Sequence, residues 1–261
     1  MKKFELTSET KINIFGKKLF RIKALISFGV VKTGETGGWV EKEENVNQSG
    51  NAWVFGNAEV SDNAEVFGNA EVSDNARVFG NARVFGNARV SGNARVSGNA
   101  EVSDNARVFG NAEVSDNAWV SGNARVFGNA RVSGNARVFG NAEVFDNARV
   151  FDNARVFDNA RASGNAEVSG NAEVSGNAWV FDNARVFGNA DYATIHGFGT
   201  QFRTTTFFRC KDKQVKVSCG CFYGTIPEFC EQVKNTRKGK IAEEYLMIAD
   251  LMEKHFAEEA K

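Results

Sequence analysis

The sequence predicts an all-β solenoid: a stack of short parallel strands closed by a cap at either end. Three observations carry this. From Asn51 to Gly188 one hexapeptide repeats 23 times without a gap. Its second and fourth positions are Ala and Val, with Ala162 the one departure from Val, while its third position is Arg or Glu in 20 of the 23 units. Its last position is Gly or Asp, followed by the Asn of the next unit.

Each position follows from elementary geometry. In the unit Asn75-Ala76-Arg77-Val78-Phe79-Gly80, residues two apart on a strand share a face. Ala76 and Val78 therefore point one way, Arg77 and Phe79 the other. A buried face could not hold Arg or Glu in nearly every unit, so Ala and Val form the interior. Gly, Asp and Asn reach left-handed backbone angles at low cost, which suits a tight corner between strands. Six residues cannot bury their own Val, so the units must stack. Stacking brings the corner Asn residues into register, where their amides can form ladders.

The two ends differ in composition. In residues 1–50, Lys11–Phe15 and Leu19–Leu25 read as strands joined at Gly16-Lys17, with Phe4-Glu5-Leu6 a possible third. They are the expected cap over the first coil's unpaired backbone. Val40 and Val46 keep the six-residue step but Val54 lies eight on, so the register slips near Ser49-Gly50. After Gly188, Thr204–Cys210 and Gln214–Ser218 read as a hairpin. Thr225-Ile226-Pro227-Glu228 is a capping box that opens a helix. Ile241, Tyr245, Ile248, Met252 and Phe256 line one face of a second helix. The expected organisation is an N-terminal β cap with lead-in coil (1–50), a repeat solenoid (51–194) and a small α+β appendage of a hairpin and two helices (195–261).

The run Val78-Phe79-Gly80-Asn81-Ala82-Arg83 resembles the left-handed parallel β-helix of hexapeptide-repeat proteins. That resemblance implies a left-handed coil of triangular section, with three hexapeptide units to each coil. The repeats then make seven to eight coils, a rod roughly 37 Å long at about 4.8 Å per coil. Phe28-Gly29, Gly37-Gly38-Trp39-Val40-Glu41, Asn51-Ala52-Trp53-Val54 and Cys219-Gly220-Cys221-Phe222-Tyr223-Gly224-Thr225-Ile226 are similar to a bacterial family often found in prophages. Its members are labelled only as hexapeptide transferases or polymer-forming proteins. The resemblance implies a phage-related, cytoplasmic setting and no particular chemistry.

Lys plus Arg equals Asp plus Glu at 32 each, so net charge gives no argument for nucleic acid or a membrane surface. No apolar run is long enough to span a bilayer, and the start lacks the apolar core of a signal peptide. The protein is therefore expected in the cytoplasm with its four cysteines reduced.

Enzymes of the resembled fold are often acyl-CoA-dependent acyltransferases with a His general base. The 23 units contain no His. The chain's only histidines are His196, the weak catalytic candidate, and His255. Cys210, Cys219, Cys221 and Cys230 are weak zinc candidates: their spacing of nine, two and nine lacks a C-x-x-C knuckle, and small apolar residues of a cap core are the plainer reading. The eight corner Asp residues are turn formers rather than metal ligands. No metal or cofactor is expected.

The outward position after Val is Phe in 12 units and Ser in 11, so the fold itself requires Phe at none of them. At a step of three units Phe109, Phe127 and Phe145 form one strip beside Arg89, Arg107 and Arg125, and Phe139 and Phe157 form a neighbouring pair. Aromatic residues and Arg are what interfaces enrich; rings lying over Arg stems are the competing explanation. The expected function is a non-enzymatic binding scaffold of phage setting, self-associated as a dimer or trimer, or bound to a host protein or an anionic ligand. An acyltransferase and a structural polymer unit are the alternatives.

Overall fold

A computed structural model describes residues 1–257. Each hexapeptide contributes a two-residue strand, such as Arg77–Val78. Strands three units apart pair in parallel, Arg89 on Arg107 and Val90 on Val108. Three sheets of eleven, eight and seven strands are the faces of the rod. The eight- and seven-strand faces consist of repeat strands alone, which gives the expected seven to eight turns. No repeat Ala or Val is more than 1 % exposed, so the interior is one column of small apolar side chains.

The corners hold because two kinds of side chain stack there. Asn amides run up the edges, Asn81 Nδ2 donating to Asn99 Oδ1 at 3.0 Å and Asn99 Nδ2 to Asn117 Oδ1 at 3.0 Å. The corner Asp residues have φ near +58°, a conformation Asp tolerates better than most side chains. All but Asp182 accept from the corner Gly one coil further on: Asp62 Oδ2 takes Gly80 N–H at 3.0 Å, Asp74 takes Gly92 at 2.9 Å, and Asp116 takes Gly134 at 3.1 Å. Through Asp158, every corner Asp has Gly three units later. Two stacked Asp residues would leave carboxylate facing carboxylate instead.

The N-terminal segment closes the rod as expected, though by a different route. Strands β1 (Phe4–Ile12), β2 (Lys18–Ala24) and β3 (Thr36–Val40) form an antiparallel extension of the eleven-strand face. β3 pairs in parallel with the first repeat rung of that face, Trp39 N–H donating to Ala58 O at 2.9 Å. Val40 pairs with Val60 and Val46 with Val66, a longer step along the chain than the one from Val54 to its partner Val72. The register slip thus lies between Val46 and Val54. Phe4-Glu5-Leu6 and Lys11-Ile12 belong to one strand, not two. Asn13 ends it by accepting from the Phe15 and Lys17 N–H groups, both at 2.9 Å, in an Asx-type turn. The turn sets Phe15 against Phe79, ring centroids 4.9 Å apart, so the hairpin tip rests on the eleven-strand face.

Side chains finish the two end coils, with donors at one end and acceptors at the other. Inside the rod, Gly68 O accepts from Asn51 N–H and Ala70 O from Trp53 N–H. The equivalent oxygens one coil lower, on Gly50 and Ala52, have no coil beneath them. The Lys3 ammonium fills that place, 3.5 and 2.9 Å away, over the Phe28 ring at 4.8 Å. Asn45 Nδ2 does the same for Asp62 O and Ala64 O, at 3.1 and 2.9 Å. At the far end the orphans are N–H groups. Glu173 N–H finds Asn189 Oδ1 at 2.8 Å, Trp179 N–H finds Thr206 Oγ1 at 3.2 Å, and Phe187 N–H finds Asp191 Oδ2 at 2.9 Å. Buried backbone polar groups need such partners, so both caps are chemically specific.

The C-terminal unit is a four-stranded antiparallel sheet of Tyr192–Phe198, Arg203–Arg209, Val215–Cys219 and Phe222–Thr225, followed by α1 (Ile226–Thr236) and α2 (Gly239–Phe256). The expected hairpin is its middle; both flanking strands went unread. Tyr192–Phe198 straddles the expected 194/195 boundary because Tyr192 and Ala193 pair with Phe208 and Phe207. The capping box forms as read, Thr225 N–H donating to Glu228 Oε2 at 2.7 Å. Phe207, Val217, Phe229, Tyr245, Ile248 and Met252 share a second core. No helix among the described residues is long and apolar enough to cross a membrane.

Candidate functional site

The eight-strand face gathers the outward residues singled out in the sequence. Arg89, Arg107 and Arg125 occupy adjacent rungs, Arg89 opposite Arg107 and Arg107 opposite Arg125. Phe109, Phe127 and Phe145 stack beside them, the first two rings parallel within 1° at 4.9 Å between centroids and the next pair within 3° at 5.0 Å. A parallel β stack imposes this arrangement, since identical side chains one coil apart have nowhere else to go.

The rings are not left open to water, as a strip of outward Phe would suggest. All three are half-buried. The Arg125 guanidinium sits over both Phe109 and Phe127, 5.6 and 5.3 Å from their centroids, and Arg161 sits 5.7 Å over Phe145. Each ring thus has ring neighbours along the axis and a cation on top.

The charges are largely matched as well. Arg89 pairs with Glu71 at 3.3 Å, and Glu143 holds Arg125 at 3.0 Å and Arg161 at 2.6 Å. Exposed pairs of this kind are worth about 0–1 kcal/mol each, so they order the surface more than they stabilise the fold. Arg107 is the exception. It is exposed, lies between two other Arg residues, and makes no ion pair or ring contact among the described residues.

Phe139 and Phe157 stack at 4.9 Å, but on the seven-strand face, so they belong to a separate surface. That face also carries Trp119, 37 % exposed, whose indole N–H donates to Ser103 Oγ at 3.2 Å. Trp179 makes the same bond to Ser163 at 3.0 Å. The sequence reading missed this pairing of Trp with a Ser nearly one coil earlier. The signal was present, because both Trp units follow a Ser unit at the same spacing.

The remaining candidates are scattered. His196 is exposed, with Nδ1 3.1 Å from Thr204 Oγ1. His255 is exposed on α2, its ring edge-on to Phe256. Cys210 is buried beneath the last coil, and burial pushes its thiol up to about 11. Cys219 accepts from Thr205 Oγ1 at 3.2 Å, Cys230 is half-buried on α1, and Cys221 is exposed. Among the described residues no three His, Cys, Asp or Glu gather as a metal site, so the four cysteines do not come together as a set.

A family model described as the YdcK beta solenoid repeat matches residues 76–92, 82–98, 88–104, 112–133, 130–144 and 148–164. No curated protein matches the chain. The matched segments all lie within the hexapeptide tract, where strands stack one coil apart around an Ala/Val interior; the chain is a β-solenoid repeat protein.

Proposed function

We infer that this chain is a non-enzymatic binding scaffold whose recognition surface is the eight-strand face around Phe109, Phe127, Phe145 and the Arg89–Arg107–Arg125 column. The observation that carries this is Arg107. It is a guanidinium without a counter-charge among the described residues, held between two like charges and beside an aromatic stack, at a position where other units place Glu. Like charges on adjacent rungs disfavour one another, and a partner supplying carboxylate or phosphate groups would relieve that. The three Phe side chains answer to no demand of the fold, since Ser fills the same position elsewhere. An interface built on them would have an aromatic centre with a charged border. A second copy of the chain or an acidic face of a host protein in the cytoplasm fits this surface.

The test is a pair of variants in the full chain. Phe109, Phe127 and Phe145 changed together to Ser, and separately Arg107→Glu, should both fold with wild-type circular dichroism. Both should weaken self-association in light scattering, or capture of the host partner. A wild-type chain that is strictly monomeric, with neither variant altering partner capture, refutes the reading.

A further inference from the structure

The C-terminal unit contains a concavity unrelated to the rod faces. It lies between the sheet and the two helices and has a volume of about 320 Å³, at the lower end of the roughly 300–1,000 Å³ typical of small-molecule sites. One side is aromatic: Phe198 and Phe222 from the outer strands, Phe229 from α1 and Tyr245 from α2. The lining is also cationic. Arg203, at the start of its strand, and Arg237, directly after α1, both line it.

Neither guanidinium has an ion-pair partner among the described residues; Arg203 donates to the Gln201 side-chain oxygen and Arg237 to no side chain. Among the described residues no carboxylate lines the space. Most outward Arg residues on the rod pair with Glu, and Arg209 in the C-terminal sheet pairs with Asp191 at 3.5 Å. Two Arg residues without ion-pair partners therefore share one space with four aromatic rings.

Local backbone supports the arrangement. Gly220 has φ +64°, and a Cβ there would collide with Arg203 Nη1. The glycine leaves room for the guanidinium to lie against the turn. Tyr245 is fixed by its hydroxyl, which donates to Phe198 O at 3.2 Å, so the aromatic wall is braced across the space it faces.

We propose that this cleft binds a small organic anion, a phosphate ester or carboxylate carrying an apolar or aromatic body. The two guanidiniums take the anionic head and Phe198, Phe222 and Tyr245 take the body. Arg is suited to this because its planar fork matches both oxyanions. The site is independent of the rod-face reading, and either can fail without the other.

Phenyl phosphate, benzoate, inorganic phosphate and benzyl alcohol, titrated calorimetrically into the full chain, test it. Phenyl phosphate or benzoate should bind saturably and more tightly than inorganic phosphate or benzyl alcohol. The tighter of the two assigns the head group. Arg203→Gln and Arg237→Gln change exposed side chains, and each should weaken binding by roughly tenfold or more, the loss expected for a charge-assisted hydrogen bond. Arg131→Gln on the rod should change nothing. Cys221 lines the cleft and is the exposed cysteine, so on the wild-type chain the bound anion should slow its alkylation. The proposal is overturned by an absence of saturable binding at millimolar anion, by benzyl alcohol binding as tightly as the anions, by affinity unchanged in the double Gln variant, or by Cys221 alkylation that ignores the ligand.

Discussion

Asn45 offers the sharpest test of how the rod is closed. It is fully buried. Its amide donates to Asp62 O and Ala64 O at 3.1 and 2.9 Å, and its Oδ1 accepts from Lys42 N–H at 2.9 Å. Asn45→Ala would strand two carbonyls and one N–H, each worth about 1–3 kcal/mol when left unmade in a buried place. Allowing for water reaching the edge at Asp62, we expect a loss of about 3–5 kcal/mol. Asn45→Asp keeps the shape but sets a carboxylate against two carbonyl oxygens, so it should be at least as damaging. Asn81→Ala is the control. That side chain is exposed and only bridges Asn63 and Asn99, and its loss should cost under about 1 kcal/mol. Urea unfolding followed by circular dichroism gives the midpoints, and light scattering reports end-to-end association through an opened first coil. Asn45→Asp as stable as the wild type, or Asn45→Ala no worse than Asn81→Ala, would show that the coil end does not depend on this donor.

Two further outcomes follow from burial and charge. Val108→Asp places a carboxylate in a fully buried position with no partner, which should cost several kcal/mol, while Arg107→Asp on the adjacent outward position should cost under about 1 kcal/mol; equal shifts in thermal unfolding would overturn the inward Val register. Burial depresses the Lys3 ammonium from 10.5 to about 8, so between those pH values the unfolded chain binds more protons than the folded one and stability should rise with pH; a titration of unfolding midpoints in which Lys3→Met shows the same rise as wild type would refute that assignment.

Much of this fold is legible from the repeat, because a position that is Ala or Val throughout leaves one choice of interior and a six-residue step leaves one way to stack. The caps are harder to read. Lys3 looks like any surface lysine until the coil beneath Ala52 is found to be missing, and Asn45 looks like one more Asn in an Asn-rich chain. Tyr192–Phe198 is a strand because of partners further along the chain, a long-range choice that local pattern does not encode. The Phe/Arg strip was legible as a column. Its degree of burial was not, because that depends on where long Arg side chains fold down, and rotamers are set by neighbours in adjacent coils. Arg203 and Arg237 were not singled out at all; only folding brings them to one cleft.

The dependence of each face on a three-unit step bears on how such a chain can change length. Removing one unit, for instance Asn117–Gly122, leaves the interior untouched, since the units on either side present the same Ala and Val. The corners survive too: Asp104 and Asp116 would meet Gly128 and Gly140 in place of Gly122 and Gly134. The outer surface does not. Everything beyond the cut rotates by one face, and Phe109 comes to lie under Ser133 instead of Phe127. Loss or gain of three units at once restores the alignment. Loss of that unit is tolerated as far as folding is concerned, whereas one unit gained between Asp104 and Asp116 would stack the two carboxylates, and any surface that must keep its pattern can only be lengthened or shortened by whole coils.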